Sequence, residues 1–462
     1  MQDKEWNEGI WDTSWDNLFC GNKYVQGHCE FLSTVGAVLT IPFGDISESR
    51  ISATNGIYLF TAEEKRYPYL YGFTQDGISL ALLDALSDGV ARRIPGGSKE
   101  RLRSSIVLES KNQFDPSAPV VAIRVEVKQL AEWLHLAYSP QVNGGVLEVD
   151  LNSSSITIPI LDTLSLCGEI RAGLNPVKQV LGTLSVTTHC YVYMCYSFGA
   201  SLSKVLHEDL DRLRSLFSFL FAKRALVDSL AVKFAGGESW VNVYMSSPVE
   251  IAEKGRLHPA VAFESLEKEG LLRLSNKWFS LADDEFRAAL VLTSLLSKWQ
   301  MPFDLQQIAA STMLESLMRA NGDQLYTDDE FDKLVGPILD ASDPKIRERL
   351  RGILGLLKHE SYNMLLERAR VEGAPWVDRL IPKWSQFKKK QHAIRITGAH
   401  GKTDTSDFQL RVDHYHASIV IAYIVLMRRL GLSERIVDEF EKSSFLNYPR
   451  ERITQRYSKS ES

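Results

Sequence analysis

The segment Lys388-Lys-Lys-Gln-His-Ala-Ile-Arg395-Ile-Thr-Gly-Ala-His400-Gly-Lys-Thr403 governs the interpretation of this chain, because the sequence predicts a long apolar helix directly after it. That helix is expected from about Ser406 to Leu430. Arg395 and His400 stand five positions apart, and two glycines lie close to the histidine. We expect the glycines to form a turn at the entrance to the helix. An arginine and a histidine held in such a turn can bind a phosphate group and transfer a proton.

A second pair with the same spacing, Arg411 and His416, lies inside the predicted helix. Residues five positions apart on an α-helix point about 140° apart, so they normally face different neighbours. The second pair is therefore predicted first as solvated or interface residues, and only second as catalytic residues. The spacing by itself is a weak signal, and the context favours Arg395 and His400.

Composition limits the classes of protein to which the chain can belong. A length of 462 residues predicts two or three domains, and a formal charge of −5 argues against a protein that coats nucleic acid through bulk positive charge. The N-terminus lacks an apolar signal segment, and the longest apolar run, Ile419–Met427, is far shorter than the ~20 residues of a membrane-spanning helix. We expect a soluble, cytoplasmic protein.

The cysteines do not predict a disulfide framework or a common zinc site. They are five in number and irregularly spaced, with His28 and His189 each beside one of them: Cys20, Cys29, Cys167, Cys190 and Cys195. Zinc ligands usually come as closely spaced cysteine pairs, which are missing here. Buried free thiols are the preferred interpretation, with a zinc site as the alternative, and no metal or cofactor is predicted.

The order of predicted elements indicates an α+β protein of two domains. Residues 1–270 contain short β-branched and aromatic runs bounded by turn residues, which predict antiparallel sheets with some helix. Residues 271–448 show helical periodicity almost throughout, with the change of pattern somewhere in 250–285. Residues 449–462 are polar and basic, and they are expected to be disordered.

Six stretches show the apolar periodicity of helices. They are 202–220, 283–298, 303–319, 328–340, 344–359 and 360–371. Within 303–319, Glu315 and Arg319 are predicted to form an exposed i,i+4 pair. The carboxylates at 283–285 and 328–330 stand where helices begin, so they are interpreted as capping groups rather than as catalytic acids.

The segment Arg395-Ile-Thr-Gly-Ala-His400-Gly401 resembles the R-N-x-x-A-H-G signature of HEPN domains. The wider chain resembles the ApeA-type anti-phage proteins, which join a β-rich N-terminal domain to a HEPN domain. Tyr69–Leu80 is similar to a strand–turn–strand of that N-terminal domain, and Phe303–Arg319 is similar to the first HEPN helix. The chain departs from the pattern at Ile396, where the family usually has a polar residue.

This resemblance implies a metal-independent endoribonuclease that acts as a homodimer or larger homo-oligomer through its HEPN domain. His400 would transfer protons at the ribose 2′-OH and the leaving oxygen, and Arg395 would hold the scissile phosphate, leaving a 2′,3′-cyclic phosphate. Four lysines would supply positive potential for RNA: Lys388, Lys389, Lys390 and Lys402. The N-terminal domain would restrain the nuclease or sense a trigger derived from the phage, with tRNA a plausible target.

Two other functions fit parts of the same segment. A non-catalytic HEPN-like module that binds RNA or protein is motivated by Ile396. A nucleotide-binding P-loop is suggested by Gly401-Lys-Thr403, although the first glycine of that motif would have to stand at Ile396. For the lysine run, a solvated linker remains as credible as an RNA contact.

Overall fold

The computed structural model describes residues 3–458 except 15–17, 19–23, 47–49, 55–56, 62–64, 93–97, 136–140, 144–145, 149–155, 175–177, 181–182, 186–187, 247–256, 297–300, 321, 323 and 400–406. The chain forms two compact units. The first consists of Met1–Asp211 and Leu226–Arg256, and the second of Arg212–Ala225 and Leu257–Ser462. None of the helices in the described part combines the length and apolar character that a membrane crossing requires.

The first unit is built from antiparallel strands, as the sequence predicts. These are β1 (Lys4–Asp12), β2 (Val25–Leu32), β3 (Gly36–Phe43), β4 (Arg50–Thr54), β5 (Ile57–Thr61), β6 (Arg66–Thr74), β7 (Ser79–Arg92), β8 (Ser98–Ser104), β9 (Ile106–Ser110), β10 (Val120–Val127), β11 (Gln141–Asn143), β12 (Val146–Glu148), β13 (Ile156–Asp162), β14 (Leu166–Leu174), β15 (Lys178–Val180), β16 (Thr183–Ser185), β17 (Thr188–Ala200), β18 (Val227–Phe234) and β19 (Val241–Met245). The largest sheet has the order β13-β14-β17-β10-β18-β19-β9-β7-β6-β1-β2-β3-β8.

Six strands of that sheet close into a ring, because β8 pairs with β3 on one side and with β7 on the other. The interior of the ring is apolar, with Trp6 and Trp11 of β1 buried in it. Trp11 lies directly over the backbone of β6: a Cβ placed at Gly72 would be 2.5 Å from the indole ring. Only a glycine at this position lets the ring lie so close to the strand.

The helices follow the predicted order, so the α+β fold class is confirmed. In the first part of the chain they are α1 (Leu130–Trp133), α2 (Leu202–Lys204) and α3 (Leu210–Phe221), with a π-helical turn at Val205–Asp209. The rest are α4 (Phe263–Phe279), α5 (Asp283–Leu295), α6 (Phe303–Arg319), α7 (Asp328–Asp340), α8 (Pro344–Gly355), α9 (Tyr362–Glu372), α10 (Trp376–Leu380), α11 (Trp384–Ala399), α12 (Phe408–Arg429), α13 (Glu434–Glu441) and α14 (Asn447–Ser458), with 3₁₀ turns at Leu356–Lys358 and Ser444–Leu446.

Helix α12 is the apolar helix that the sequence predicts, and its side chains are buried without interruption from Ala417 to Met427. Its neighbours belong to the second unit. Tyr423 stacks on Phe219 of α3, with ring centroids 4.9 Å apart, and its hydroxyl donates to the Phe219 carbonyl at 3.2 Å. Packing inside one bundle therefore accounts for the apolar sequence of α12, and no partner chain is needed to explain it.

Two helices lie where the sequence predicts other structures. Helix α11 occupies the lysine-rich segment that was expected to be a turn or a linker. Helix α14 occupies most of the expected disordered tail, so that prediction is wrong for the residues up to Ser458. The physical reason is that Ile453 and Tyr457 lie one turn apart and are buried, while Arg456 pairs with the buried Asp413 at 2.5 Å.

A buried polar network links α14 to the centre of the bundle. His414 of α12 is 1 % exposed. Its Nδ1 donates to the side-chain oxygen Oε1 of Gln391 at 2.7 Å. Its Nε2 accepts a hydrogen bond from the Tyr457 hydroxyl at 2.5 Å. Burial, with the nearby cations Arg456 and Lys390, lowers the pKa of His414 to about 3, so its imidazole is neutral in the folded protein.

Arg429 holds the C-terminal end of α12 in a second polar cluster. Its side chain is 11 % exposed and pairs with Glu285 and Glu372, each at 2.9 Å, and it donates to the Leu317 carbonyl at 2.7 Å. The position also suits a cation, since the carbonyls at a helix C-terminus carry partial negative charge.

Replacing Arg429 by methionine is expected to destabilise the helical unit by about 3–5 kcal/mol, because two half-buried carboxylates would lose their counter-ion. Urea denaturation followed by the helical circular dichroism signal measures this change. The matched control is Arg428→Met, since Arg428 is 39 % exposed and its contacts are a 3.8 Å pair with Glu434 and the ring of Trp376, 5.3 Å away, neither of which leaves a buried carboxylate when it is lost. An equal loss of stability in the two variants would contradict the role assigned to Arg429.

His414 is expected to make folding stability depend on pH. Its pKa is about 3 in the folded protein and about 6.5 when unfolded, so below pH ~6.5 only the unfolded chain takes up the proton. Stability should therefore fall by about 1.4 kcal/mol for each pH unit below that value. His414→Gln should remove this part of the slope, and His359→Gln, which changes an exposed histidine, should leave it unchanged.

Candidate active site

Arg395 lies inside α11, where its guanidinium group is held by two other helices. Its Nε and Nη2 donate to Oε2 of Glu315 on α6 at 2.9 and 2.5 Å. The guanidinium carbon lies 4.8 Å from the ring centroid of Tyr362 on α9. One third of the Arg395 side chain remains exposed, so the group is fixed in position and can still be reached by a ligand.

The arginine is placed by a regular pattern of contacts between α6 and α11. Gln391 donates to the Ser311 hydroxyl at 3.2 Å, and one turn further along both helices Arg395 pairs with Glu315. Both contacts use residues four positions apart, which share a helix face. Gln391 also donates to the hydroxyls of Tyr362 and Ser418, so the face of α11 that carries Arg395 is anchored on three sides.

The predicted turn at Arg395 is not what the structure has. Helix α11 runs on through Ala399, so Gly398 lies within its last turn. Glycine is common at the C-terminal end of helices, and it marks the end of α11 rather than a flexible turn around Arg395. The predicted catalytic partner His400 and the predicted RNA contact Lys402 lie outside the described residues.

Ile396, the departure from the family pattern, is 41 % exposed on α11. An exposed position needs no hydrogen bond to satisfy a buried group, so the fold accepts isoleucine there.

The lysine run is part of α11 and only partly available to a ligand. Lys388 pairs with Glu367 on α9 at 3.1 Å. Although burial opposes ionisation of Glu367, hydrogen bonds from Lys388, Arg370 and Trp384 lower its pKa. Lys389 is exposed and Lys390 half-buried. The linker interpretation is therefore wrong, because the run is helical, and a role in RNA binding stays a prediction.

The second pair is engaged in other contacts. Arg411 is bound to Asp304, and its Nε donates to Gln307 at 2.9 Å, both on α6. His416 is largely buried, which lowers its pKa, and its ring contacts that of Tyr415. Within the described residues no contact joins Arg411 to His416. The prediction of a solvated pair is therefore wrong, because Arg411 is only 12 % exposed and is held on α6, and a catalytic role for the pair stays a prediction.

The sequence reasoning missed Glu315 and Tyr362 as site residues. The predicted pair of Glu315 with Arg319 exists, at 3.2 Å, but the Glu315 side chain is only 14 % exposed. Ser311 and Glu315, two polar residues four positions apart on a helix that is otherwise largely apolar, were the available signal. His392, one turn before Arg395, was also missed; its Nδ1 accepts a hydrogen bond from Asn363 at 3.3 Å.

The predicted capping role is confirmed for the acidic cluster at 328–330, but at 283–285 no side chain caps the helix and the carboxylates bind arginines instead. Thr327 and Glu330 form a reciprocal capping box at the start of α7. Glu285 binds Arg429, and Asp283 lies 3.5 Å from Arg212. These carboxylates hold helices in place and are not grouped as a catalytic pair.

Two cysteines behave as buried free thiols. Cys29 and Cys190 are buried, and burial raises the pKa of the Cys190 thiol to about 12. Cys167 and Cys195 are exposed, which differs from the prediction. Cys20 lies outside the described residues, and of His189 only the backbone, in β17, is described. In the part of the chain that is described, no group of three metal-binding side chains is present.

A P-loop at Gly401-Lys-Thr403 is contradicted by the fold. That motif follows a buried strand, whose end delivers the glycine-rich loop to the phosphates. The residues before Gly401 form helix α11 instead, and α12 belongs to a helical bundle. The surroundings of a P-loop are therefore not present.

Comparison with known families identifies the first unit. Residues 15–265, more than half of the chain, match the family model described as ApeA N-terminal domain 1. Neither the search of curated proteins nor the search of solved structures gave a match. The matched region covers strands β2–β19 of the first unit, including the predicted strand–turn–strand at Tyr69–Leu80, and β1 precedes it. The chain therefore belongs to the ApeA N-terminal domain 1 family and is an ApeA-type anti-phage defence protein.

Proposed function

We propose that the second unit is a HEPN-type, metal-independent endoribonuclease that acts in the cytoplasm during anti-phage defence. The observation that carries the proposal is the position of Arg395. It is fixed by Glu315 and Tyr362, it is one-third exposed, and the histidine of the motif follows five residues later. A fixed arginine with free N–H groups suits a phosphodiester, and the adjacent histidine suits proton transfer.

In this mechanism Arg395 binds the scissile phosphate and offsets the charge that develops on its oxygens. His400 takes the proton from the ribose 2′-OH, which then attacks the phosphorus. The bond to the 5′-oxygen breaks, a proton is returned to that oxygen, and the product carries a 2′,3′-cyclic phosphate. All of these steps use protons and no metal or cofactor.

Glu315 is assigned as a positioning residue for Arg395. Both of its bonds from Arg395 end on one oxygen, Oε2, and they occupy Nε and Nη2 of the guanidinium group. Among the described residues, the remaining N–H groups, including those of Nη1, have no hydrogen-bond partner and can face a phosphate. A carboxylate at this place also keeps the arginine charge balanced while the site is empty.

The substrate and control of the nuclease follow from the same family relationship. Cellular RNA, with tRNA as one candidate, is the proposed substrate, and Lys389 and Lys390 of α11 and Lys402 would add positive potential for it. The first unit would restrain the nuclease until a phage-derived protein is recognised. A homodimer would bring two copies of the motif to one RNA.

A second candidate function is binding of RNA or protein without cleavage. It is favoured by Ile396, an exposed apolar side chain next to Arg395 where a polar one is usual. An exposed isoleucine suits a contact surface better than it suits a wet active site.

Arg395→Ala and His400→Ala are expected to lower RNA cleavage by about 10²–10⁴-fold each, since one loses phosphate binding and the other proton transfer. The measurement compares purified proteins on total cellular RNA, with chelator present and with end-group analysis for the cyclic phosphate. Arg287→Ala and His258→Ala are the matched controls, because they change an arginine and a histidine of the second unit that are exposed and lie outside the motif. Identical RNA profiles for wild type and both site variants would favour the binding function.

Glu315→Ala is expected to lower cleavage by about 10–100-fold, because a hydrogen-bonded charged pair contributes roughly 1.5–3 kcal/mol to the placement of its partner. Glu315→Gln, which retains an acceptor oxygen, should recover part of the activity. Single-turnover rates on a defined RNA give the comparison. A rise in activity on removal of Glu315 would show that it masks Arg395 instead of positioning it.

A further inference from the structure

Two exposed cysteines, Cys167 and Cys195, face each other on the large sheet of the first unit. Strand β14 pairs with β17 in antiparallel register, and Cys167 is the direct partner of Cys195. Both side chains are exposed, whereas Cys29 and Cys190 are buried. Free cysteine is among the residues that proteins bury most often, so two exposed thiols at one place on a sheet need an explanation.

The pairing of the strands places the two cysteines at a separation that a disulfide can span. Ser197 donates its backbone N–H to the Ser165 carbonyl at 3.1 Å, which makes these residues a hydrogen-bonded pair of the ladder. Pairs of this kind recur at every second residue, and the register of β14 with β17 has no shift, so Cys167 and Cys195 are also such a pair. Their Cα atoms are then about 5.5 Å apart, within the range of about 4.4–6.8 Å found in disulfides.

The two thiol groups are in contact in the reduced protein, since Cys195 and Cys167 share a side-chain hydrogen bond. Partial burial raises the pKa of the Cys195 thiol, and the neighbouring Cys167 raises it further. Because the thiolate is the reactive form of cysteine, we expect the pair to react slowly at neutral pH and faster in alkaline solution.

Other roles for the pair fit less well. A zinc site needs at least three protein ligands, and in the described part of the chain no group of three metal-binding side chains is present. Cys190 cannot replace Cys167 as the partner of Cys195. It lies five positions earlier on the same strand, and side chains an odd number of residues apart point to opposite faces of a sheet.

We propose that Cys167 and Cys195 form a dithiol site that closes reversibly to a disulfide by exchange with a small-molecule disulfide of the glutathione type. The thiolate of one cysteine attacks a sulfur of the small disulfide, which gives a mixed disulfide and releases one small thiol. The second cysteine then attacks the sulfur of the first, and the other small thiol leaves. Two electrons and two protons pass from the cysteine pair to the small disulfide, which is reduced to two thiols.

The geometry of the sheet predicts that the closed form is easily reduced. Side chains directly opposite each other on paired strands have Cβ atoms about 4.5–5.5 Å apart, compared with about 3.8 Å in an unstrained disulfide. Closure must therefore draw β14 towards β17, and a disulfide under strain is reduced more readily. The site is thus a reversible redox group and not a permanent cross-link, and it does not depend on the proposed nuclease activity.

Treatment of the folded full chain with oxidised glutathione, followed by alkylation of free thiols and measurement of the intact mass, tests the proposal. All proteins carry Cys20→Ser, so that the only cysteines besides the pair are the buried Cys29 and Cys190. The parent protein is expected to form one internal disulfide, to retain no glutathione, and to lose the disulfide when reduced glutathione is added.

Cys167→Ser and Cys195→Ser should each stop at the mixed disulfide and retain one glutathione, because the thiol that would displace it is missing. Cys190→Ala is the control, since it changes a buried cysteine on the opposite face, and it should close as the parent does. Circular dichroism verifies that each variant is folded.

Three results would overturn the proposal. They are free thiols at both positions after treatment, one glutathione retained on each cysteine of the parent, and an internal disulfide that persists in either serine variant. A disulfide that forms but resists reduced glutathione would contradict the reversible closure.

Discussion

The side-chain amide of Gln391 is the interaction on which the arrangement of the helical unit depends. It is 1 % exposed and bonds to residues of α6, α9 and α12, and through His414 it is linked to α14. A buried side-chain amide without hydrogen-bond partners costs free energy. Few other arrangements of these helices would give the Gln391 amide its partners, so the network favours this one packing. Arg395 stands one turn further along the same helix. The site therefore inherits its geometry from a network that has no contact with solvent.

This coupling explains why a charged residue can be held firmly near a surface. Exposed ion pairs contribute little, because two long side chains must be ordered in water. Glu315 is mostly buried, and the Tyr362 ring covers the guanidinium group of Arg395 from one side. The packing of the helices therefore already restricts both side chains, and the ion pair costs little additional side-chain entropy. The buried His414 has a different role. It is neutral, both of its ring nitrogens are in hydrogen bonds, and it links α12 to α14 without taking part in proton transfer.

Periodicity made most of the fold predictable. The bounds of 303–319 and 328–340 agree with α6 and α7 because apolar residues recur there at helical spacing and proline, threonine and aspartate mark the starts. Helices α11 and α14 were missed, since polar residues outnumber apolar ones in both and their few buried residues, such as Ile453, show no clear helical pattern in the sequence. Only the partners on other helices make those residues part of a core.

Arg395 could be predicted from the sequence, but the residues that surround it in the structure could not. A spacing motif identifies Arg395, but no rule of sequence connects it to Glu315, eighty positions earlier. The same holds for Tyr362 and Gln391, whose roles arise from three helices meeting. The exposed aliphatic side chains of α7 and α8 were equally unexpected, because a helix with an apolar stripe is normally assumed to bury it.

The division of the chain has a consequence for the order in which the protein is made. Residues 212–225 belong to the second unit, although strands β18 and β19 of the first unit follow them. Phe219 packs against the rings of Trp278 and Tyr423. Both contacts can therefore form only after the ribosome has completed almost the whole chain. During synthesis the first unit can complete its sheet while the helical unit still lacks its core. A nascent or truncated chain would thus contain an ordered first unit before it contains an ordered second unit.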